Sequence, residues 1–174
     1  MRADSHCNLW NSATEAFFRD RLIQPIQQVA QACVPTVLAM LAGTTPEKFL
    51  RTAGAEAKFN TQNPVTWSDA LRAYEMRLAY CPADARKLKH YLGELIALDD
   101  LFTLSYYTTG NSNDILGEPD EDGWVTGSHV VILHRDKIID PQTGTAVNAL
   151  RHGCKDKHTK RIFRVVPAGF PRGL

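Results

Sequence analysis

Cys33 heads an apolar run, Val34-Pro35-Thr36-Val37-Leu38-Ala39-Met40-Leu41, in which Val34, Val37, Leu38 and Leu41 recur at helical spacing. Pro35 falls in the first turn, where a missing N–H is no loss, and Gly43 suits the stop. A cysteine at a helix start meets orphan N–H groups and the positive end of the helix dipole. Both favour the thiolate, which is the nucleophilic form. Acyl transfer also needs donors for the developing oxyanion. The Cys33 backbone N–H is one candidate. The amide of Gln27, six residues upstream, is another; Gln28 and Gln31 lie nearby without that spacing.

A thiol nucleophile needs a base, and the base an orienter. His129 opens the apolar segment Val130-Val131-Ile132-Leu133, and Asp140 closes the next one, just before Pro141. If His134 to Lys137 make the connection, Leu133 faces Ile138 and Val131 faces Asp140. His129 and Asp140 are then diagonal neighbours on one face, within reach of two side chains. A two-residue turn is expected to keep that face and move Asp140 further off. A three-residue turn would reverse it.

The order Gln27, Cys33, His129, Asp140 resembles that of the papain-like cysteine peptidases. The stretch from Gln27 through Cys33-Val34-Pro35-Thr36-Val37-Leu38-Ala39-Met40-Leu41 to Gly43-Thr44-Thr45-Pro46 is most similar to the bacteriocin-leader (double-glycine) peptidase branch and its small bacterial and phage relatives. His129-Val130-Val131-Ile132-Leu133 and Ile138-Ile139-Asp140-Pro141-Gln142-Thr143-Gly144 resemble it too. Ala32 and Val34 stand where that branch commonly has an acid and a glycine. The resemblance implies Cys33 as nucleophile, His129 as general base and acid, Asp140 as its orienter and Gln27 as oxyanion donor. It implies a papain-like α+β fold, with N-terminal helices on a small antiparallel sheet.

The elements around these residues read helices first and strands second, which also argues α+β. Residues 1–20 are expected to form an opening, peripheral helix. Thr45 caps a helix with Pro46 at its first position, ended by Gly54. Ser68 is expected to cap a third, from Asp69 to about Arg77. Asp84 is expected to cap a fourth, with Leu88, Tyr91, Leu92 and Leu95 inward. Strands are expected at Leu101–Thr108, His129–His134, Lys137–Asp140 and Arg161–Pro167.

The chain has 174 residues, is 44% hydrophobic and 22% charged, and carries a net charge of +1. That fits one globular domain over 1–174 and excludes disordered and low-complexity classes. The near-neutral balance gives no general pull toward nucleic acid or membrane. No run approaches a membrane span, and the polar start of the chain is no signal peptide. A cytoplasmic location, or export without a classical signal peptide, is the expectation. Cys7, Cys33, Cys81 and Cys154 form no disulfide framework and no CxxC. His152, Cys154 and His158 are read as part of a basic surface loop, not as metal ligands. Neither metal nor cofactor is expected.

Thr109 to Gly127 is a long loop holding Asp114, Glu118, Asp120, Glu121 and Asp122, with no Lys or Arg. It is a solvated acidic loop, or a cleft wall favouring basic substrates. The expected function is thiol hydrolysis of a peptide or isopeptide bond in a peptide or protein substrate. One rival is a cysteine amidase effector acting on peptidoglycan or a host side-chain amide, whose partner would be an inhibitor or immunity protein. The other is a non-catalytic binding module on the same fold.

Overall fold

The computed structural model describes residues 16–54, 59–108, 127–170 and 174. The expectations for residues 1–15 and for the acidic loop up to residue 126 lie outside the described residues.

Three helices come first: α1 (Cys33–Ala42), α2 (Pro46–Gly54) and α3 (Pro64–Leu71). A short 3-10 turn, Arg72–Tyr74, leads into β1 (Met76–Cys81). Then come α4 (Lys89–Leu98), β2 (Leu101–Tyr107), β3 (Ser128–His134), β4 (Lys137–Asp140) and β5 (Thr145–Asn148). Two 3-10 turns, Ala149–Arg151 and Gly153–Asp156, precede β6 (Thr159–Pro167). The strands form one antiparallel sheet in the order β1-β6-β2-β3-β4-β5. The fold class is therefore α+β.

Helices cover both faces of this sheet. On one face α1, α2 and α3 bury Val37, Leu38, Met40, Phe49 and Trp67 against Met76, Leu78, Val130, Ile132, Ile139 and Val165. On the other, α4 buries Leu88, Tyr91, Leu92 and Leu95 against Phe102, Leu104, Val131, Leu133, Ile138 and Ile162. The expected arrangement, with helices on a small sheet, is thus exceeded: six strands lie between two helical layers. With both faces covered, β2 is buried along all but its last residue, the polar Thr103 and Ser105 included.

α1 positions the nucleophile candidate. Val37, Leu38, Met40 and Leu41 are each 1% exposed or less, and each contributes about 1.5–3 kcal/mol through burial. Gly43 takes the left-handed conformation (φ 72) that ends the helix. Thr45 accepts from the Lys48 N–H at 3.3 Å, as its capping role requires.

Several expected elements differ. Ser68 does not cap a helix. It lies inside α3, fully buried, where its hydroxyl accepts from the Leu78 N–H (3.0 Å) and donates to the Leu174 carbonyl (3.1 Å). Asn63 is the cap, accepting from the Val65 N–H ahead of Pro64. The helix expected to run to Arg77 gives way at Glu75 (φ 64) to β1. Asp84 holds Arg86 and Tyr91 instead of capping α4. Residues 17–20 form turns, not a helix, and they are not peripheral. The Phe17 and Phe18 N–H groups donate to the buried carboxylate of Asp100 at 3.0 and 2.7 Å. Its Oδ2, which accepts the Phe17 N–H, also binds Arg164, 1% exposed, at 2.7 Å.

The hairpin register agrees with the expectation: Leu133 pairs with Ile138. The turn itself is shorter, because His134 also pairs with Lys137 and leaves only Arg135 (φ 58) and Asp136 between. That two-residue turn does not carry Asp140 away, since it extends the same ladder. Pairing stops at Ile132–Ile139, one step short of Val131 and Asp140. The start of β3 is thus paired only with β2.

Candidate active site

This open start of β3 receives Cys33. The Val130 N–H lies near enough to help hold the thiol down, at a point where β4 has already ended. The first turn of α1 is arranged to match. Ala32 at the cap position offers no side-chain acceptor, and no acid lies in the first turn. Pro35 has no N–H, and the Thr36 N–H bonds to the Ala32 carbonyl. The Val34 N–H is directed to the thiol. The Cys33 N–H is therefore the first-turn donor left for an oxyanion.

His129 lies on the same face as Val131 and Leu133, opposite Tyr106 in the ladder. Its Nε2 meets Asp140 Oδ1 at 2.8 Å, with both side chains below 10% exposure. That bond leaves Nδ1 free of Asp140, and the Cys33 thiol and the His129 ring lie close enough for each to shift the other's titration. The Tyr106 ring stands edge-on to the imidazole, centroids 5.6 Å apart, and limits its rotation. Asp140 is anchored in turn. Its Oδ1 accepts the Gln142 N–H (2.9 Å), and its carbonyl accepts the Gly144 N–H (2.8 Å).

The charges follow from these contacts. Burial pushes the Cys33 thiol up, but the His129 hydrogen bond, the Val130 and Val34 N–H groups and the imidazolium charge outweigh it, so the thiol is held below its ordinary value. Burial pushes His129 down, yet its bonds to Asp140 and Cys33 raise it to about 9. Burial alone would raise Asp140, but His129, His152 and the Gln142 N–H hold it well below the carboxylate range. These contacts favour thiolate, imidazolium and carboxylate in series over their neutral forms. Cys154 is the contrast: burial and the nearby Asp140 push its thiol up to about 12.

The fold thus brings together Cys33, His129 and Asp140 from α1, β3 and the end of β4. Gln27 is placed beside the Asp140 turn. It is exposed, and its amide Nε2 donates to the Gln142 carbonyl at 3.4 Å. Its described contacts tie it to that turn and not to the sulfur. The adjoining Gln28 N–H donates to the Pro141 carbonyl at 2.7 Å. The segment leading to Cys33 is therefore laced to the strand end that carries Asp140.

Two site neighbours escaped the sequence reading. Tyr106 was placed in its strand, but its partner could not be known before the β2–β3 register. The expectation that His152 lies in a surface loop with Cys154 and His158 does not hold. The His152 ring is partly buried against Asp140 Oδ2 at 2.9 Å, and Cys154 is 2% exposed. His158 turns away to the Ala85 carbonyl. No spacing rule reaches His152, because β5 and a 3-10 turn separate it from Asp140. Among the described residues no group of His, Cys, Asp and Glu is arranged to hold a metal ion. A cleft of about 480 Å³ between α2 and α3, lined by Thr52, Phe59, Asp69 and Arg72, shares no residue with the site. No helix among the described residues is long and apolar enough to cross a membrane.

No family model, curated protein or solved structure matches this chain.

Proposed function

We propose that this chain is a papain-like cysteine hydrolase that cleaves a peptide or isopeptide bond. The observation that supports this reading is the Cys33 thiol beside the His129 ring, whose Nε2 in turn meets the Asp140 carboxylate at 2.8 Å. Isolated buried cysteines are inert and carry no such partners.

The Cys33 thiolate attacks the scissile carbonyl carbon, and the Cys33 N–H holds the oxyanion. Gln27 completes the oxyanion site in this reading, using the amide N–H not engaged by Gln142. Collapse breaks the C–N bond, and the His129 imidazolium gives its proton to the leaving amine. The neutral imidazole then takes a proton from water as that water attacks the thioester. The second collapse breaks the C–S bond, releases the acid and restores thiolate and imidazolium. Asp140 keeps the ring oriented and stabilises its charge without taking the proton.

An activity-based thiol probe with a peptidyl recognition element is expected to label the wild-type chain at Cys33 and not the Cys33→Ala variant. Labelling spread over all the cysteines, or surviving Cys33→Ala, overturns the reading. Incubation with peptide pools and with peptidoglycan stem peptides separates a peptidase from an amidase, since both use the same three residues.

A further inference from the structure

Asp140 is held from two sides. Oδ1 carries the His129 bond and the Gln142 N–H, and Oδ2 meets His152 Nε2 at 2.9 Å. The other nitrogen of His152 is occupied as well: its Nδ1 accepts the Cys154 backbone N–H at 3.0 Å. An acceptor Nδ1 places the ring proton on Nε2, so His152 reaches Asp140 as a neutral donor in a fixed tautomer. Its backbone is fixed too, because it caps the 3-10 turn Gly153–Asp156. The ring is partly buried, and the carboxylate it meets is nearly closed to solvent.

We propose that His152 is a positioning residue for the Cys33–His129 pair, acting through Asp140. The inference rests on the cysteine-hydrolase reading and extends it by one residue. A carboxylate held at one oxygen turns about its terminal torsion, a broad two-fold degree of freedom. A donor on the second oxygen stops that turn and keeps Oδ1 aimed at His129. It also gives the second oxygen a partner in a place water scarcely enters, where an unpaired acceptor is costly. The neutral form suits this task. A second imidazolium would compete with His129 for a single negative charge, whereas a neutral N–H orients the carboxylate and leaves that charge to the base. Outer-shell donors of this kind fix the geometry of a site without touching the reacting atoms.

The test is the pH profile of Cys33 alkylation by iodoacetamide, mapped by mass spectrometry, in the wild type, His152→Ala and His152→Gln. This readout needs no substrate. The expected wild-type profile is acid-shifted. With Oδ2 unheld, the imidazolium loses part of its support, and His152→Ala slows alkylation near pH 6 by about three- to tenfold, up to one pH unit of profile. Glutamine can present both an acceptor to the Cys154 N–H and a donor to Asp140, so His152→Gln is expected to restore the rate to within about twofold. A folded His152→Ala with the wild-type profile overturns the assignment and leaves the hydrolase reading standing. An ordinary thiol profile in the wild type overturns both. Should His152→Ala fail to fold, the wild-type ring decides by nitrogen-15 NMR. An Nε2–H tautomer with a bare Nδ1 through neutral pH supports the role, and an Nδ1–H tautomer overturns it.

Discussion

Gly144 lies so close to Gln27 that a Cβ built on it would stand 2.8 Å from the Gln27 Cβ and 3.0 Å from its backbone nitrogen. Gly144 also has a φ of 66°, a conformation L side chains seldom adopt. The turn after Asp140 can thus touch the segment leading to Cys33 only because it contains glycine there. Gly144→Ala is expected to cost about 1–3 kcal/mol, combining left-handed strain with displacement of backbone. It should also lower the rate of Cys33 alkylation, since the Gln27 segment leads directly to that residue. Urea denaturation checks the first effect, and a midpoint equal to wild type would contradict the contact.

The cysteines should separate sharply by reactivity. Cys33 is held below the ordinary thiol value, whereas Cys154 is pushed up to about 12. At neutral pH Cys33 is expected to alkylate at least about a hundredfold faster, because the thiolate is the reacting form. Peptide mapping after brief treatment measures the ratio. Comparable rates would return Cys33 to the class of small buried residues.

Activity and stability should both decline at alkaline pH, for the same reason. The hydrolytic rate should rise as Cys33 ionises below its ordinary value and fall as His129 loses its proton near about 9. His129 is raised in the fold, so its stabilising share is full below about 6.5 and is lost as the pH rises through about 9. Asp140 is held down, so its share is present above its ordinary value of 3.8 and is lost on acidification below it. Thermal melts from mildly acidic to alkaline pH should show the alkaline loss in the wild type. His129→Gln should flatten it, and an unchanged slope in that variant would assign the loss elsewhere.

Asp140→Asn should act mainly on kcat. One asparagine oxygen can serve His129 or His152, but its amide then points a donor at the other ring's N–H. The expected loss is on the order of 10²–10⁴ in kcat with little change in KM, since orientation of the base acts in the transition state. Steady-state kinetics on the peptide found with the probe settles it. Full activity would free Asp140 from the role.

Asp100→Ala should destabilise the fold by about 3–5 kcal/mol, the usual cost of stripping a buried cation of its carboxylate. It also leaves the Phe17 and Phe18 N–H groups without the acceptor they share. Hydrogen exchange should accelerate at those two amides first. Protection equal to wild type would show that residues 17–18 are held by their rings alone, of which Phe17 packs on Phe170.

Local signals explain which parts of this architecture were legible in the chain. The spacing of Val34, Val37, Leu38 and Leu41 and the glycine at 43 announce α1, and Thr45-Pro46 announces α2. The apolar runs on either side of Arg135-Asp136 announce the hairpin, and its register follows from their lengths. β1 was hidden because Leu71, Tyr74 and Leu78 mimic helical spacing across the break at Glu75. β5 carries no apolar alternation, as its residues are largely exposed, so nothing in composition marks it. Cys33, His129 and Asp140 were legible because each sits at an element end. His152 was not, because its partner lies across an irregular turn where neither period applies.

β6 is the last strand in chain order, yet it sits between β1 and β2. A ribosome emits Cys33 long before it emits Thr159–Pro167, the segment that must slip into the middle of the sheet. It also emits His152 and Arg164 after every earlier strand. A nascent chain therefore carries Cys33 without its finished sheet for several seconds or more at elongation rates of about 5–20 residues per second. The surroundings that hold the Cys33 thiol down are thus complete only once the last strand has been inserted into the middle of the sheet.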